Sequence, residues 1–223
     1  AGNEVQSTQF RYDDFGWKIE RIVDADGAGA GAATAEQYVH DRDHIAMVFT
    51  GSDTPAEIFL QGPGIDMILS EQHGTDVMWS LADHLGTVRD VVSLAGDLLD
   101  HLTYDAFGNI VGQTAAALAP RFSYTGREFV EEIGLYDYRA RYYDANLGRF
   151  ISEDPLSFSA GDMNLYRYVG NNPTGNVDPS GLVSFSGWLD RVPYLAYGGL
   201  KSAYKNTIGA VIDLGKGIVH GAV

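Results

Sequence analysis

Residues 152–182 read Ser152-Glu-Asp-Pro-Leu-Ser-Phe-Ser-Ala-Gly-Asp-Met-Asn-Leu-Tyr-Arg-Tyr-Val-Gly-Asn-Asn-Pro-Thr-Gly-Asn-Val-Asp-Pro-Ser-Gly-Leu182, and the rest of the chain is organised around them. Asp154 and Asp178 each precede a proline. Proline fixes its own φ and pushes the residue before it out of the α region, so each aspartate is held at a turn. Between them, Asn164–Val169 is aromatic and β-branched and predicts a short strand, and 170–175 predicts a tight reversal. A strand that leaves one Asp-Pro turn and returns to another brings two carboxylates to one point. Two such groups cannot both ionise cheaply, so one keeps a proton and acts as general acid while the other activates water or polarises an amide. The plainer reading of the same residues is that both aspartates cap turns.

Upstream, Tyr136, Tyr138, Ala140 and Tyr142 alternate with Asp137, Arg139, Arg141 and Tyr143, the period of one strand with an aromatic face and a mainly charged face. The aromatic row reads as packing rather than as a sugar or base platform. Further back, Tyr12-Asp13-Asp14-Phe15-Gly16 and Tyr104-Asp105-Ala106-Phe107-Gly108 share Tyr-Asp, an aromatic and a glycine, which predicts a repeated strand-turn-strand unit. A looser copy lies at Tyr38-Val-His-Asp-Arg-Asp-His44. Ile58 to Asp66 and Met67 to Glu71 predict a hairpin across Gly62-Pro63-Gly64. The small-residue stretch Asp24–Thr34 has an acidic, glycine-bearing start but lacks the remaining ligands of a calcium loop, and reads as a solvated excursion. His84, in Asp83-His-Leu-Gly-Thr-Val-Arg89, has no second metal ligand at hairpin or helical spacing and no serine nucleophile motif nearby. It is expected to hydrogen-bond within its own turn.

Arg141-Tyr-Tyr-Asp144, Gly148-Arg-Phe-Ile-Ser152, Asp154-Pro155, Asn164-Leu-Tyr-Arg-Tyr168, Asn172-Pro173 and Asp178-Pro-Ser-Gly-Leu182 occur in one order that resembles the RHS repeat-associated core of bacterial Rhs, YD-repeat and toxin-complex C proteins. The resemblance is strong from about Trp79 and weaker before it. It implies a mainly β fold, in which a spiralled YD-repeat sheet forms a partial shell. The repeats would occupy residues 1–78, the core 79–182, and the start of a variable C-terminal segment 183–223. It further implies that Asp154 and Asp178 are catalytic, with Arg149 or Arg167 supporting, and that the core cuts the chain between Leu182 and Val183 in a single turnover. A C-terminal toxin cargo in the same chain, a secretion machinery, an immunity protein and a secreted or cell-surface location follow from the same likeness. The competing class is a YD-repeat adhesion or carbohydrate-binding protein that never cuts itself. Two positions depart from the family pattern: Glu153 stands where many members have arginine, and Ser157 where they have glycine.

Composition agrees. The 223 residues are enough to bury a core, and the absence of cysteine excludes disulfides, thiol catalysis and cysteine-bound zinc. No cofactor or metal is expected. A start at Ala1 without methionine reads as a piece of something longer. The net charge is -15, but residues 1–182 hold 11 Lys+Arg against 28 Asp+Glu whereas 183–223 hold 4 against 2, so the balance breaks at Leu182. An acidic body does not grip nucleic acid, which requires cations opposite phosphates. Beyond the break, Ile208, Val211, Ile212, Gly215, Ile218, Val219 and Ala222 recur at helical spacing and predict an amphipathic helix. It would serve as a linker into cargo or as an element that contacts an anionic membrane.

Overall fold

The computed structural model describes residues 6–27, 29 and 31–182, with the backbone of 185–186, 210–213 and 218–221. It divides into two units, residues 1–58 with 201–223, and residues 59–200.

In the first unit β1 (Ser7–Tyr12), β2 (Lys18–Asp24), β3 (Thr34–Asp41), β4 (His44–Phe49) and the start of β5 (Glu57–Gln61) pair antiparallel in chain order. The Lys18 side chain is buried, its ammonium 5.6 Å from the Phe10 ring centre and 5.1 Å from that of Tyr38. Rings with a negative face make that burial tolerable. The looser copy at Tyr38–His44 is a different turn. His40 pairs with Ile45 and Asp41 with His44 across a two-residue loop in which Arg42 has a φ of 57°.

In the second unit the meander continues through β6 (Ile68–His73), β7 (Asp76–Ala82), β8 (Val88–Ser93), β9 (Leu98–Tyr104) and β10 (Ile110–Gln113). On β9, Asp100, Leu102 and Tyr104 are buried while His101 and Thr103 face solvent, the period of a strand with one packed face. A second antiparallel sheet follows, of β11 (Glu128–Val130), β12 (Leu135–Asp137), β13 (Tyr142–Asp144) and β14 (Arg149–Phe150). The backbone of β16 (Phe185–Ser186) pairs with β15 (Asn176–Val177), so Val177 lies opposite Phe185. The fold is mainly β, an open YD-repeat sheet as the sequence predicts.

One local device builds the hairpins. The Asp13 Oδ1 accepts the amides of Phe15 and Trp17 at 2.8 and 2.9 Å, the Asp13 amide donates to the Trp17 carbonyl, and Gly16, at φ 79°, donates back to the Asp13 carbonyl. Asp83–Thr87 and Asp105–Asn109 form the same five-residue loop, and Ser93–Asp97 forms it with a serine hydroxyl in place of the carboxylate. The side chain thus satisfies two amides that a reversing backbone would strand. At Gly108 the absent Cβ matters twice: φ is 95°, and a Cβ would lie 2.5 Å from the Tyr124 ring.

That ring belongs to the centre of the unit, where Tyr124, Tyr136, Tyr138, Tyr143, Phe150 and Tyr168 are buried against one another. The hydroxyls of Tyr136 and Tyr143 donate to the carbonyls of Gly108 and Phe107 at 2.9 and 2.8 Å, so the second sheet grips the Asp105 loop of the first. Tyr138 shares hydrogen bonds with Thr125 at 2.7 Å and Tyr168 at 3.0 Å. Burial pushes these phenols well above their ordinary pKa, so they remain neutral donors.

Three predicted elements are corrected. The run 136–143 is a hairpin rather than one strand, because the Tyr138 amide donates to the Arg141 carbonyl and Arg139 takes a φ of 65°. Asn164–Val169 is a turn: the Asn164 Oδ1 accepts the Tyr166 amide, and only Arg167 forms a bridge, to Arg149. In the tail, Ala210–Asp213 (β17) and Ile218–Gly221 (β18) pair as antiparallel strands in place of the expected helix. Val211, Ile212, Ile218 and Val219 favour extended backbone, and Gly215 and Gly217 disfavour a helix by about 1 kcal/mol each. The remainder of 183–223 lies outside the described residues.

Candidate functional site

Both Asp-Pro motifs adopt variants of the repeat loop. Asp178–Leu182 is one: the Asp178 Oδ1 accepts the Leu182 amide at 3.1 Å, Gly181 has a φ of 70°, and its amide donates to the Asp178 carbonyl. The Ser180 hydroxyl adds a bond to the same Oδ1 at 3.2 Å and accepts the Leu182 amide at 3.1 Å. Asp154 begins another. Its Oδ1 accepts the Leu156 amide at 2.8 Å and its carbonyl accepts the amide of Ser157, which stands in the glycine position with a φ of 52°. The departure at Ser157 is therefore a serine held in a conformation that suits glycine. Each aspartate spends one oxygen on its loop and leaves Oδ2 for other use.

The two Oδ2 atoms meet at Arg141, whose Nη2 lies 3.1 Å from that of Asp154 and 3.6 Å from that of Asp178. All three side chains are buried. Arg141 also donates through Nη1 to the Leu165 carbonyl at 3.0 Å and through Nε to the Gly181 carbonyl, with its guanidinium carbon 3.6 Å from the centre of the Phe150 ring. Gly181 sits so close that a Cβ would be 2.4 Å from the Tyr138 carbonyl oxygen. A cavity of 100 Å³ opens here, lined by Arg141, Asp154, Asp178, Ser157 and Leu182 among others.

Burial governs the electrostatics. It raises the pKa of Asp154 above its ordinary value, more than Arg141 and the Leu156 amide lower it. Burial likewise lowers the pKa of Arg141 more than its two carboxylates raise it. The shift at Asp154 therefore comes from desolvation, not from repulsion by Asp178. Glu153 is not a third member of the pair, since it accepts the Tyr166 hydroxyl at 3.2 Å on the surface.

The structure thus brings Asp154, Asp178 and Leu182 together. Arg167 lines the cavity but is engaged by Asp162, whose pKa that bond lowers. Arg149 stands apart, its guanidinium 5.5 Å from the centre of the Tyr166 ring. The cation between the aspartates is Arg141, which sequence reasoning placed on a charged strand face; the signal available was its position in Arg141-Tyr-Tyr-Asp144. His84 faces away from its own turn, with Nε2 3.3 Å from the Thr174 carbonyl, and Asp83 forms the turn instead. The tyrosine hydroxyls of the centre bond to Thr125 and to loop carbonyls. Val183 lies outside the described residues.

A meander of five-residue aspartate loops, gripped by a tyrosine-centred sheet and ending in two Asp-Pro loops, defines a YD-repeat protein with an RHS-type core. Residues 3–174 match the teneurin YD-shell family, and the chain belongs to it. It is 30% identical over 187 residues to the tRNA3(Ser)-specific nuclease WapA of Bacillus spizizenii, a match covering 81% of this chain and 8% of that protein. It is 36% identical over 101 residues to toxin protein Tse5 of Pseudomonas aeruginosa, covering 45% of this chain and 8% of Tse5. The crystal structure of TcdB2-TccC3 shares the fold with a TM-score of 0.63 at 22% identity, over 78% of this chain and 9% of that one. The chain spans less than a tenth of the length of each. Rhs and YD-repeat toxins are thus the relatives that its motifs pointed to.

Proposed function

We propose that this chain is the C-terminal part of an Rhs/YD-repeat toxin-delivery protein whose core cuts the backbone between Leu182 and Val183. YD repeats occupy 1–78, the core 79–182, and the start of the released segment 183–223. The observation that carries the reading is the convergence of Asp154 and Asp178 on Arg141 beside a Leu182 amide already held by Asp178.

Asp178 accepts two donors through Oδ1, so it acts as the ionised partner and takes a proton from water. The hydroxide so formed adds to the Leu182 carbonyl carbon. Asp154, whose pKa burial raises, supplies a proton to the Val183 nitrogen as the C–N bond breaks. The products are a Leu182 carboxyl group and a Val183 amine, and the two carboxyls exchange protonation states once. Pairing of Val177 with Phe185 restrains the chain on both sides of the bond. The released segment is cargo, and a secreted or cell-surface location with a secretion machinery and an immunity protein is part of the same proposal.

The test is N-terminal sequencing of fragments from a longer chain that includes the preceding repeats. A fragment beginning at Val183, absent in Asp154→Asn and Asp178→Asn, is the expected result. An intact chain after prolonged incubation would overturn the proposal and leave the adhesion reading.

A further inference from the structure

The turn that receives the Asp178 loop is itself held from the repeat region. Asp66 closes the Gly62-Pro63-Gly64-Ile65 loop between β5 and β6; it is buried and has a φ of 54°. Its carboxylate takes both hands of Arg139, with Nη2 to Oδ1 at 2.6 Å and Nη1 to Oδ2 at 3.2 Å. Arg127 joins through Nη1 at 2.7 Å while its Nε and Nη2 donate to the Asp137 carbonyl. Asp66 is therefore one anion between two arginines, both mostly buried. The packing is close, since a Cβ on Gly126 would lie 2.2 Å from the Asp66 carbonyl oxygen.

The second use of Arg139 gives this network a direction. Nη1 also donates to the carbonyl of Pro179, the second residue of the Asp178 loop, and the Ala140 amide donates to the Ser180 carbonyl at 3.3 Å. Arg139 thus holds Asp66 with both Nη atoms and, through the shared Nη1, the backbone of the Asp178 loop. A planar guanidinium fixed bidentately by a carboxylate has little freedom left, so the Pro179 carbonyl inherits its position from Asp66.

We propose that Asp66 is a positioning residue for the segment 178–182, supplied by the repeat region and acting through Arg139. The inference rests on the reading that Asp154 and Asp178 cut after Leu182. It adds that a core spanning 79–182 alone holds an incomplete site, so that scission depends on the repeat sheet having folded against it. Small displacements of a reacting bond are enough to matter, since about 1 Å can lower a rate by 10²-fold.

The experiment uses the full chain with Asp66→Asn, which preserves size and tolerates positive φ but removes the charge. Hydrogen exchange is measured in an Asp154→Asn background, where no cut intervenes, and scission is timed separately with Asp154 intact. Exchange at Gly181 and Leu182 is expected to quicken at least tenfold while β7, β8 and β9 keep their protection. Scission is expected to slow by about tenfold or more with an unchanged pH profile, because Asp66 does not touch the reacting carboxylates. Unchanged exchange at 181–182 overturns the inference whether or not the chain cuts. Absence of scission in the unsubstituted chain overturns the proposed function alone, because the exchange comparison still stands. Should Asp66→Asn lose its fold, Arg139→Gln, which leaves Asp66 paired with Arg127, carries the same two measurements and is judged by the same outcomes.

Discussion

Replacing Arg141 by methionine keeps most of the side-chain volume against Phe150 but removes the cation shared by Asp154 and Asp178. Two buried carboxylates then face each other's field without a counter-charge, the Gly181 carbonyl loses the Arg141 donor, and the Leu165 carbonyl keeps only the Asp154 amide. Breaking a buried ion pair by deleting one partner costs about 3–5 kcal/mol. Part of this is relieved because Asp154 already has a raised pKa and becomes neutral readily, so the lower half of that range is expected. For a chain of this size each kcal/mol shifts Tm by about 2–4 °C, which predicts a fall of about 6–16 °C. The assay is thermal and urea unfolding at pH 7, with Asp154→Asn and the double variant completing a cycle. The double variant should recover stability, with a coupling of about 1–3 kcal/mol. A loss below about 1 kcal/mol for Arg141→Met, or strict additivity in the cycle, would refute the bridging role assigned to the guanidinium.

Three further outcomes are expected. Ser157→Gly should stabilise the chain by about 0.5–1 kcal/mol in a urea titration, because a serine held at φ 52° carries a strain that glycine does not. Gly181→Ala should destabilise by clearly more than Gly74→Ala in the same titration: both have positive φ, but only at Gly181 would the new Cβ meet backbone, 2.4 Å from the Tyr138 oxygen. Asp154 gives a pH dependence of defined sign. Its folded pKa is raised above the ordinary 3.8, so its contribution is fully present below that value and is lost as pH climbs through the folded one. The stability of the unsubstituted chain relative to Asp154→Asn should therefore decline from acid toward neutral pH, and a rise over that range would count against burial as the dominant effect.

What the sequence disclosed was local chemistry. An aspartate two residues before an aromatic and three before a glycine dictates its own loop, because the carboxylate, the two amides and the left-handed glycine are all within five residues. The hairpins at Asp13 and Asp105 were legible for that reason, whereas the pairing of Asp154 with Asp178 was suggested by their two Asp-Pro turns and by the family resemblance. The serine version at Ser93–Asp97 was not, since a hydroxyl there looks like any turn residue. What stayed hidden depends on partners far away in the chain. Arg139 occupies left-handed backbone, which its side chain does not favour, because Asp137 accepts its amide at 2.8 Å and Asp66 holds its fork from 73 residues away. That turn breaks the 136–143 alternation, which taken alone describes one strand. It also carries Arg141 inward, so a residue read as part of a charged face becomes a buried counter-ion.

The repeat aspartates and the paired aspartates differ less in their loops than in the second carboxylate oxygen. On Asp105 that oxygen accepts the Asn109 amide group at 2.7 Å, and on Asp83 it takes the Arg89 Nε at 3.0 Å, each from within or next to its own loop. On Asp154 and Asp178 it meets Arg141 from the second sheet, beside a cavity of 100 Å³. A carboxylate satisfied locally at both oxygens only shapes a turn. One that is half spent on its loop and half exposed to a shared, dehydrated cation retains an oxygen that can exchange a proton with something entering the cavity. Moving from the first state to the second requires no new loop. It requires proline to stiffen the turn, a cation delivered from another element, and enough burial to raise one of the two pKa values, and these three features coincide at Asp154, Asp178 and Arg141.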